Sequence, residues 1–70
     1  MNHDATYKRL TKLDDATLRY IIADCREAIE ANPSNPKAGD YADESLYCQM
    51  ILGKRARRAR NAKRHGNAAA

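Results

Sequence analysis

The sequence predicts an all-α protein: an antiparallel helical hairpin, of about residues 14–31 and 36–55, with a short N-terminal segment packed on it and a basic, partly disordered or helix-extending C-terminal tail. Two stretches carry apolar residues at spacings of three and four, as on one face of a helix. A proline-containing break separates these stretches, and a run of bases follows the second. We therefore divide the chain into an N-terminal segment (1–13), a helical hairpin (14–53) and a basic tail (54–70).

The N-terminal segment is polar and basic apart from Tyr7, Leu10 and Leu13. These three residues are spaced by three, which predicts a loose helical turn laid on the core. The first long helix then begins clearly, because Asp14 is a good N-cap and Asp15 places negative charge in the first turn. Its apolar stripe from Leu18 onwards has helical spacing and continues with Ile21, Ile22, Cys25, Ala28 and Ile29.

The segment Asn32-Pro33-Ser34-Asn35-Pro36 ends that helix, because proline disfavours helical geometry in the residue before it. The second helix is expected to begin with Asn35 or Ser34 as its cap and Pro36 near its first position. Its stripe consists of Tyr41, Ser45, Cys48 and Leu52.

A short connection makes the two helices antiparallel neighbours, so their stripes must share a register. Four pairs, each with residue numbers that sum to 70, place the stripes face to face: Ile29 with Tyr41, Cys25 with Ser45, Ile22 with Cys48, and Leu18 with Leu52. In this register Cys25 and Cys48 are offset along the axis. We expect both cysteines to be reduced, as in a cytoplasmic protein without an export signal.

The second helix has more apolar residues than one helix pair needs. Leu46, Tyr47, Met50 and Ile51 lie outside its main stripe and form a candidate protein interface. Two explanations are open. Tyr7, Leu10 and Leu13 fold back over this surface, or the surface binds another protein, either as a homodimer or with a bacterial host protein.

Charge is strongly divided along the chain. Residues 1–53 carry a net charge of −3, although the whole chain has +4. The seven bases of the tail, with no acid among them, are the candidate nucleic-acid-binding residues: Lys54, Arg55, Arg57, Arg58, Arg60, Lys63 and Arg64. Neutralising seven phosphates predicts a salt slope of roughly −5 for single strands to −6 for duplexes. RNA and DNA are equally compatible with this pattern, and the alternatives are a solvated tail or contact with an acidic protein or membrane surface.

The sequence offers little for catalysis or metal binding. His3, Cys25, Cys48 and His65 do not have zinc-site spacing, and the glycines do not form a phosphate-binding loop. We therefore expect no enzyme activity, cofactor or metal. Apolar runs are too short to insert into a membrane, and we expect a cytoplasmic location.

The stretches 13–24 and 35–44, followed by a basic end, resemble small helical-hairpin proteins encoded by tailed bacteriophages. Here Asp14 takes the cap position where such proteins commonly have threonine. The resemblance implies a non-enzymatic accessory protein in the cytoplasm of an infected bacterium, and it assigns no binding residue. The leading prediction is nucleic-acid binding through the tail. The alternatives are a host-takeover or anti-defence inhibitor that binds a host protein, and a minor virion component.

Overall fold

A computed structural model describes the backbone of residues 2–69 and the side chains of residues 2–62. The described residues form helices and connecting turns, without strands. The helices are α1 (His3–Leu10), α2 (Asp15–Ala31) and α3 (Ala38–Ala69). The all-α prediction is therefore confirmed.

Helix α1 is more regular than the loose turn expected for the N-terminal segment. The side chain of Asn2 caps it by accepting a hydrogen bond from the Ala5 N–H at 3.1 Å. Its acid, Asp4, lies in the first turn and its bases lie in the last turn, which suits the helix dipole. Leu10, at its C-terminal end, is fully buried. The last turn of this short helix is thus buried against the rest of the fold.

Helix α2 begins where the sequence predicts. The Asp14 carboxylate accepts a hydrogen bond from the Thr17 N–H at 3.0 Å and so satisfies an N–H that the first turn leaves unpaired. The hydrogen bonds from Thr17 hold the pKa of Asp14 below its ordinary value. The helix ends at Ala31, and the Asn32 N–H still bonds to the carbonyl of Ala28 at 3.2 Å.

Helix α3 begins slightly later than expected. The Asn35 side chain does accept an N–H, that of Lys37 at 2.9 Å, and its carbonyl accepts the Ala38 N–H at 2.9 Å. Pro36 and Lys37 form a turn, however, and regular helix starts at Ala38. The difference arises because the Asn35 side chain bonds two residues ahead, as in an Asx turn, instead of capping a helix that starts at Pro36.

The core lies where all three helices meet. Its buried members are Leu10, Leu18, Cys48 and Ile51, with relative exposures of 4% or less. Partly buried side chains pack around them: Tyr7, Leu13, Ile21, Ile22, Tyr47 and Leu52. Such a small core contains no Phe or Trp, so each of its few aliphatic contacts is a large share of the stability.

The contacts between α2 and α3 run in opposite orders along the two helices. Asp15, at the start of α2, pairs with Arg55 at 2.7 Å. At the other end of α2, Arg26 and Ile29 line a cleft together with Ala42 and Ser45. Helix α1 also packs on α3, and Arg9 forms an ion pair with Glu44 at 2.9 Å. Helix α3 is therefore the element that both other helices contact.

The lowered pKa of Asp14 gives a pH-dependence that can be separated from that of the other acids. A carboxylate with a lowered folded-state pKa contributes stability above its unfolded pKa of about 3.9, and this contribution is lost as the pH falls through the folded pKa. Asp14→Asn keeps a capping oxygen but does not titrate. We expect the melting temperature of the wild type to fall relative to that of Asp14→Asn as the pH is lowered through this window.

The measurement is thermal unfolding followed by circular dichroism at a series of pH values. Asp14→Ala serves as the uncapped control and should melt lower than both at neutral pH. Parallel pH profiles of the wild type and Asp14→Asn would show that Asp14 does not act as a charged cap.

Candidate nucleic-acid interface

The tail bases belong to α3, which runs through Gly53 without a break. Side chains are described for five of the seven candidate bases, and those of Lys63 and Arg64 lie outside the described residues. The five do not share one environment. Two of them contact the folded core, and three are exposed: Arg57, Arg58 and Arg60.

Arg55 is a structural residue in this fold. One guanidinium nitrogen donates to the carboxylate of Asp15 at 2.7 Å. The other donates to two backbone carbonyls of the connection between α1 and α2, those of Thr11 at 3.0 Å and Leu13 at 2.7 Å. The planar fork of N–H donors in arginine suits several acceptors at once. Arg55 thus joins α3 to the connection and to the start of α2, and its charge is paired with the Asp15 carboxylate.

Lys54 is held by an aromatic residue of α1. Its ammonium group donates to the Tyr7 hydroxyl at 3.0 Å and lies 5.5 Å from the centre of the Tyr7 ring. The ammonium has three N–H donors, so this single bond leaves others available to a ligand. Lys54 is exposed to solvent.

A solvent-open cleft of about 330 Å³ lies beside these two bases. Its lining comes from α3, from the last turn of α1 and from the residue after it: Ile51, Lys54, Arg55, Arg58, Tyr7 and Thr11. Three of the six are basic and none is acidic. The cleft is therefore a region of positive potential that an anion can approach from solvent.

The N-terminal contribution to this cleft is missed by reasoning from the sequence, which assigns binding to the tail alone. Tyr7 and Thr11 are one helical turn apart, so the last turn of α1 presents both to the same groove. Lys8, in the same turn, lines a neighbouring cleft with His3 and Tyr47. In the sequence, Lys8 and Arg9 in the last turn of α1 were the available indication of a basic segment outside the tail. Only the packing of α1 on α3 brings this turn beside the tail.

The candidate protein interface is split by the fold. Ile51 is only 4% exposed and belongs to the core, and Tyr47 is half-buried against α1. The Tyr47 hydroxyl forms a hydrogen bond with His3 at 2.7 Å, and its ring meets that of Tyr7 edge-on. Helix α1 covers the side of α3 on which these two residues lie, so the predicted external interface has almost no surface of Ile51 and only part of that of Tyr47.

Leu46 and Met50 remain on the surface, with 51% and 44% of their area exposed. They lie one turn apart on the side of α3 that neither α1 nor α2 covers. The first of the two explanations for the surplus apolar residues, that the N-terminal segment folds back, fits Tyr47 and Ile51. Leu46 and Met50 are left exposed, and binding of another protein there stays a prediction.

The two cysteines are buried and unpaired. Burial raises the pKa of both thiols, and the nearby Glu44 carboxylate acts in the same direction. Among the described residues, no cluster of three or more His, Cys, Asp or Glu side chains has the geometry of a metal site. Within the same part of the chain, none of the helices combines the length and the apolar character needed to cross a bilayer.

Arg55→Ala should destabilise the fold by about 1 to 2 kcal/mol, because it leaves two carbonyls and Asp15 without their charged donor at a partly exposed site. Arg55→Lys should be intermediate, since a single ammonium cannot reach all three acceptors in the same geometry. The free energy of unfolding from urea titrations measures both effects.

Arg57→Ala is the matched control, because Arg57 is an exposed base two positions along the same helix. We expect it to change the free energy of unfolding by no more than about 0.5 kcal/mol. Equal effects of Arg55→Ala and Arg57→Ala would contradict the structural role of Arg55.

Comparisons with protein-family profiles, with curated proteins and with solved structures found no match for this chain.

Proposed function

We propose that this protein binds nucleic acid through the phosphate backbone, using the exposed bases of α3 and the basic cleft that α3 forms with α1. The observation that carries the proposal is the division among the tail bases. Arg55 is committed to the fold, whereas Arg57, Arg58 and Arg60 are exposed and have no ion pair or side-chain hydrogen bond among the described residues.

Unpaired arginines on one helix suit a polyanion. Arg57 and Arg60 are three positions apart, so their like charges repel at a cost of a few tenths of a kcal/mol. Phosphates remove this repulsion and accept paired hydrogen bonds from each guanidinium group. The arrangement supports contact with the phosphate backbone, which gives affinity without reading the base sequence.

The scaffold for this surface is, we infer, an antiparallel hairpin of α2 and α3 with α1 across its open side. The opposite order of the contacts along α2 and α3 supports this arrangement. Arg55 fixes α3 where it leaves the core, so the next bases project from an anchored point. An anchored helix loses less conformational entropy on binding than a free basic peptide.

The tail bases then neutralise at most six phosphates, because the charge of Arg55 is already paired with that of Asp15. The expected salt slope is therefore about −4 for single strands to −5 for duplexes, one contact less than the seven tail bases would give. The slope is measured by fluorescence anisotropy with labelled single-stranded RNA and duplex DNA of arbitrary sequence over a series of salt concentrations.

Replacing Arg58 and Arg60 by alanine should reduce the magnitude of the slope by roughly 1.4 to 1.8 and weaken binding at low salt. The matched control is Arg19→Ala with Arg26→Ala, which removes two exposed bases of α2 and lowers the net charge equally. Its slope should stay near that of the wild type, since those bases are outside the proposed surface.

Equal slopes for the two double variants would show that only the net charge matters, and absence of binding by the wild type at low salt would overturn the proposal. These substitutions are preferable to a deletion after Gly53. Such a deletion also removes Lys54 and Arg55, whose contacts with Tyr7, Thr11 and Leu13 belong to the fold.

A further inference from the structure

The outer face of α3, formed by Leu46, Met50 and Gly53, is apolar and is not covered by α1 or α2. All three residues are exposed. At about 100° per residue, they fall within a narrow stripe on the side opposite the buried Cys48. Among the bases of the proposed nucleic-acid site, only Arg57 adjoins this face, so its apolar residues need a separate explanation.

Gly53 is unexpected in the middle of a long helix. Apart from its two chain neighbours and the backbone of its own helical turns, a Cβ atom at this position would meet no described atom within 4 Å, so internal packing does not require glycine. Glycine in a helix interior is less stable than alanine by about 1 kcal/mol. A residue without a side chain therefore lowers the stability of the isolated chain with no gain in its own packing, and it leaves a shallow gap on the exposed face.

The charge along this face is negative before Leu46 and positive after Met50. Asp43 lies one turn before Leu46, and Arg57 lies one turn after Gly53. Neither residue has an ion pair among the described side chains. A surface that is acidic at one end, apolar in the middle and basic at the other is complementary to a copy of itself turned end to end.

We propose that a second copy of this chain docks on the outer face of α3, with the two α3 helices antiparallel. The spacing of these residues along α3 sets the register of the two helices. With Met50 on the two-fold axis, Leu46 comes level, within one residue, with Gly53 of the partner subunit, and Asp43 comes level with Arg57 of the partner subunit. The leucine then fills the gap at the glycine, and each acid meets a base.

Self-association suits this chain better than docking of an unrelated partner. In a parallel arrangement the acids would face acids and the bases would face bases, so the charge pattern favours the antiparallel pair specifically. The pair would cover the two largest exposed aliphatic side chains of α3, and the core of one copy alone is small.

The first test is sedimentation velocity of the full chain without nucleic acid, from about 1 µM to about 1 mM, a range that spans weak to moderate affinities. We expect the wild type to shift from monomer to dimer. Gly53→Leu should remain monomeric, because its side chain occupies the place of the partner's Leu46, while internal packing has room for it. Ala23→Leu, which adds the same side chain to an exposed site on α2, is the control and should still dimerise.

Charge reversal tests the antiparallel register. Asp43→Arg alone and Arg57→Asp alone should both weaken the dimer, because each places like charges together. The double variant should recover dimerisation, and an equimolar mixture of the two single variants should form a mixed dimer. Circular dichroism of each variant establishes that the helices are retained.

Cross-linking provides an independent measurement. Met50→Cys places a thiol on the two-fold axis, and mild oxidation should yield a disulfide-linked dimer. Tyr20→Cys, at the most exposed large apolar residue of α2, is the control and should cross-link far less. The native cysteines are buried and should contribute little background.

A wild type that stays monomeric throughout the concentration range would overturn the proposal, as would equal cross-linking of Met50→Cys and Tyr20→Cys. A dimer that Gly53→Leu leaves intact would also overturn it. None of these outcomes depends on nucleic-acid binding, and Arg58 and Arg60 are unchanged in every variant.

Discussion

The arrangement of the three helices depends on the hydrogen bonds and the ion pair that the Arg55 guanidinium group forms. This group comes from α3, bonds to the connection that follows α1, and pairs with Asp15 in the first turn of α2. Backbone carbonyls in a connection lack the partners that a helix supplies internally, so a charged donor there stabilises a particular path of the chain. The same side chain therefore sets both the position of α1 and the point at which the basic part of α3 leaves the core.

The small core makes such polar contacts important. Four buried side chains, none of them aromatic, form its centre. Helix α1 contributes one of them, Leu10, and also brings Tyr7 against Tyr47. An ion pair between Arg9 and Glu44 and the bond between His3 and Tyr47 hold the same short helix. Each contact is modest, but together they attach a two-turn helix that would not be stable alone.

The functional proposals follow from what this packing leaves uncovered. The side of α3 towards α1 carries a basic cleft, and its outer face carries Leu46, Met50 and Gly53. These surfaces are on one helix but differ in chemistry, since one is basic and attracts anions, whereas the other is apolar at its centre with an acid and a base at its two ends. A dimer through the outer face would place two basic ends far apart, at opposite ends of the antiparallel helix pair. Such an arrangement allows contact with two segments of one nucleic acid, with the gain in avidity that two linked sites provide.

The sequence by itself determined the features that depend on neighbouring residues. The Asp14 cap, the end of α2 at Asn32 and the position of both cysteines on the buried stripes follow from local chemistry and helical spacing, and the structure contains them. Even the delayed start of α3 is a local effect, of the Asn35 side chain on its own turn.

Tertiary structure decided the roles of residues whose partners are distant in the chain. Arg55 looked like the other tail bases until its acceptors, about 40 positions earlier, were brought beside it. Tyr47 and Ile51 looked like Leu46 and Met50 until α1 covered one side of the helix and left the other exposed. Helical spacing predicts which residues share a face of a helix. Which other helix packs on that face depends on long-range packing. The division between structural and exposed residues is therefore a property of the folded chain.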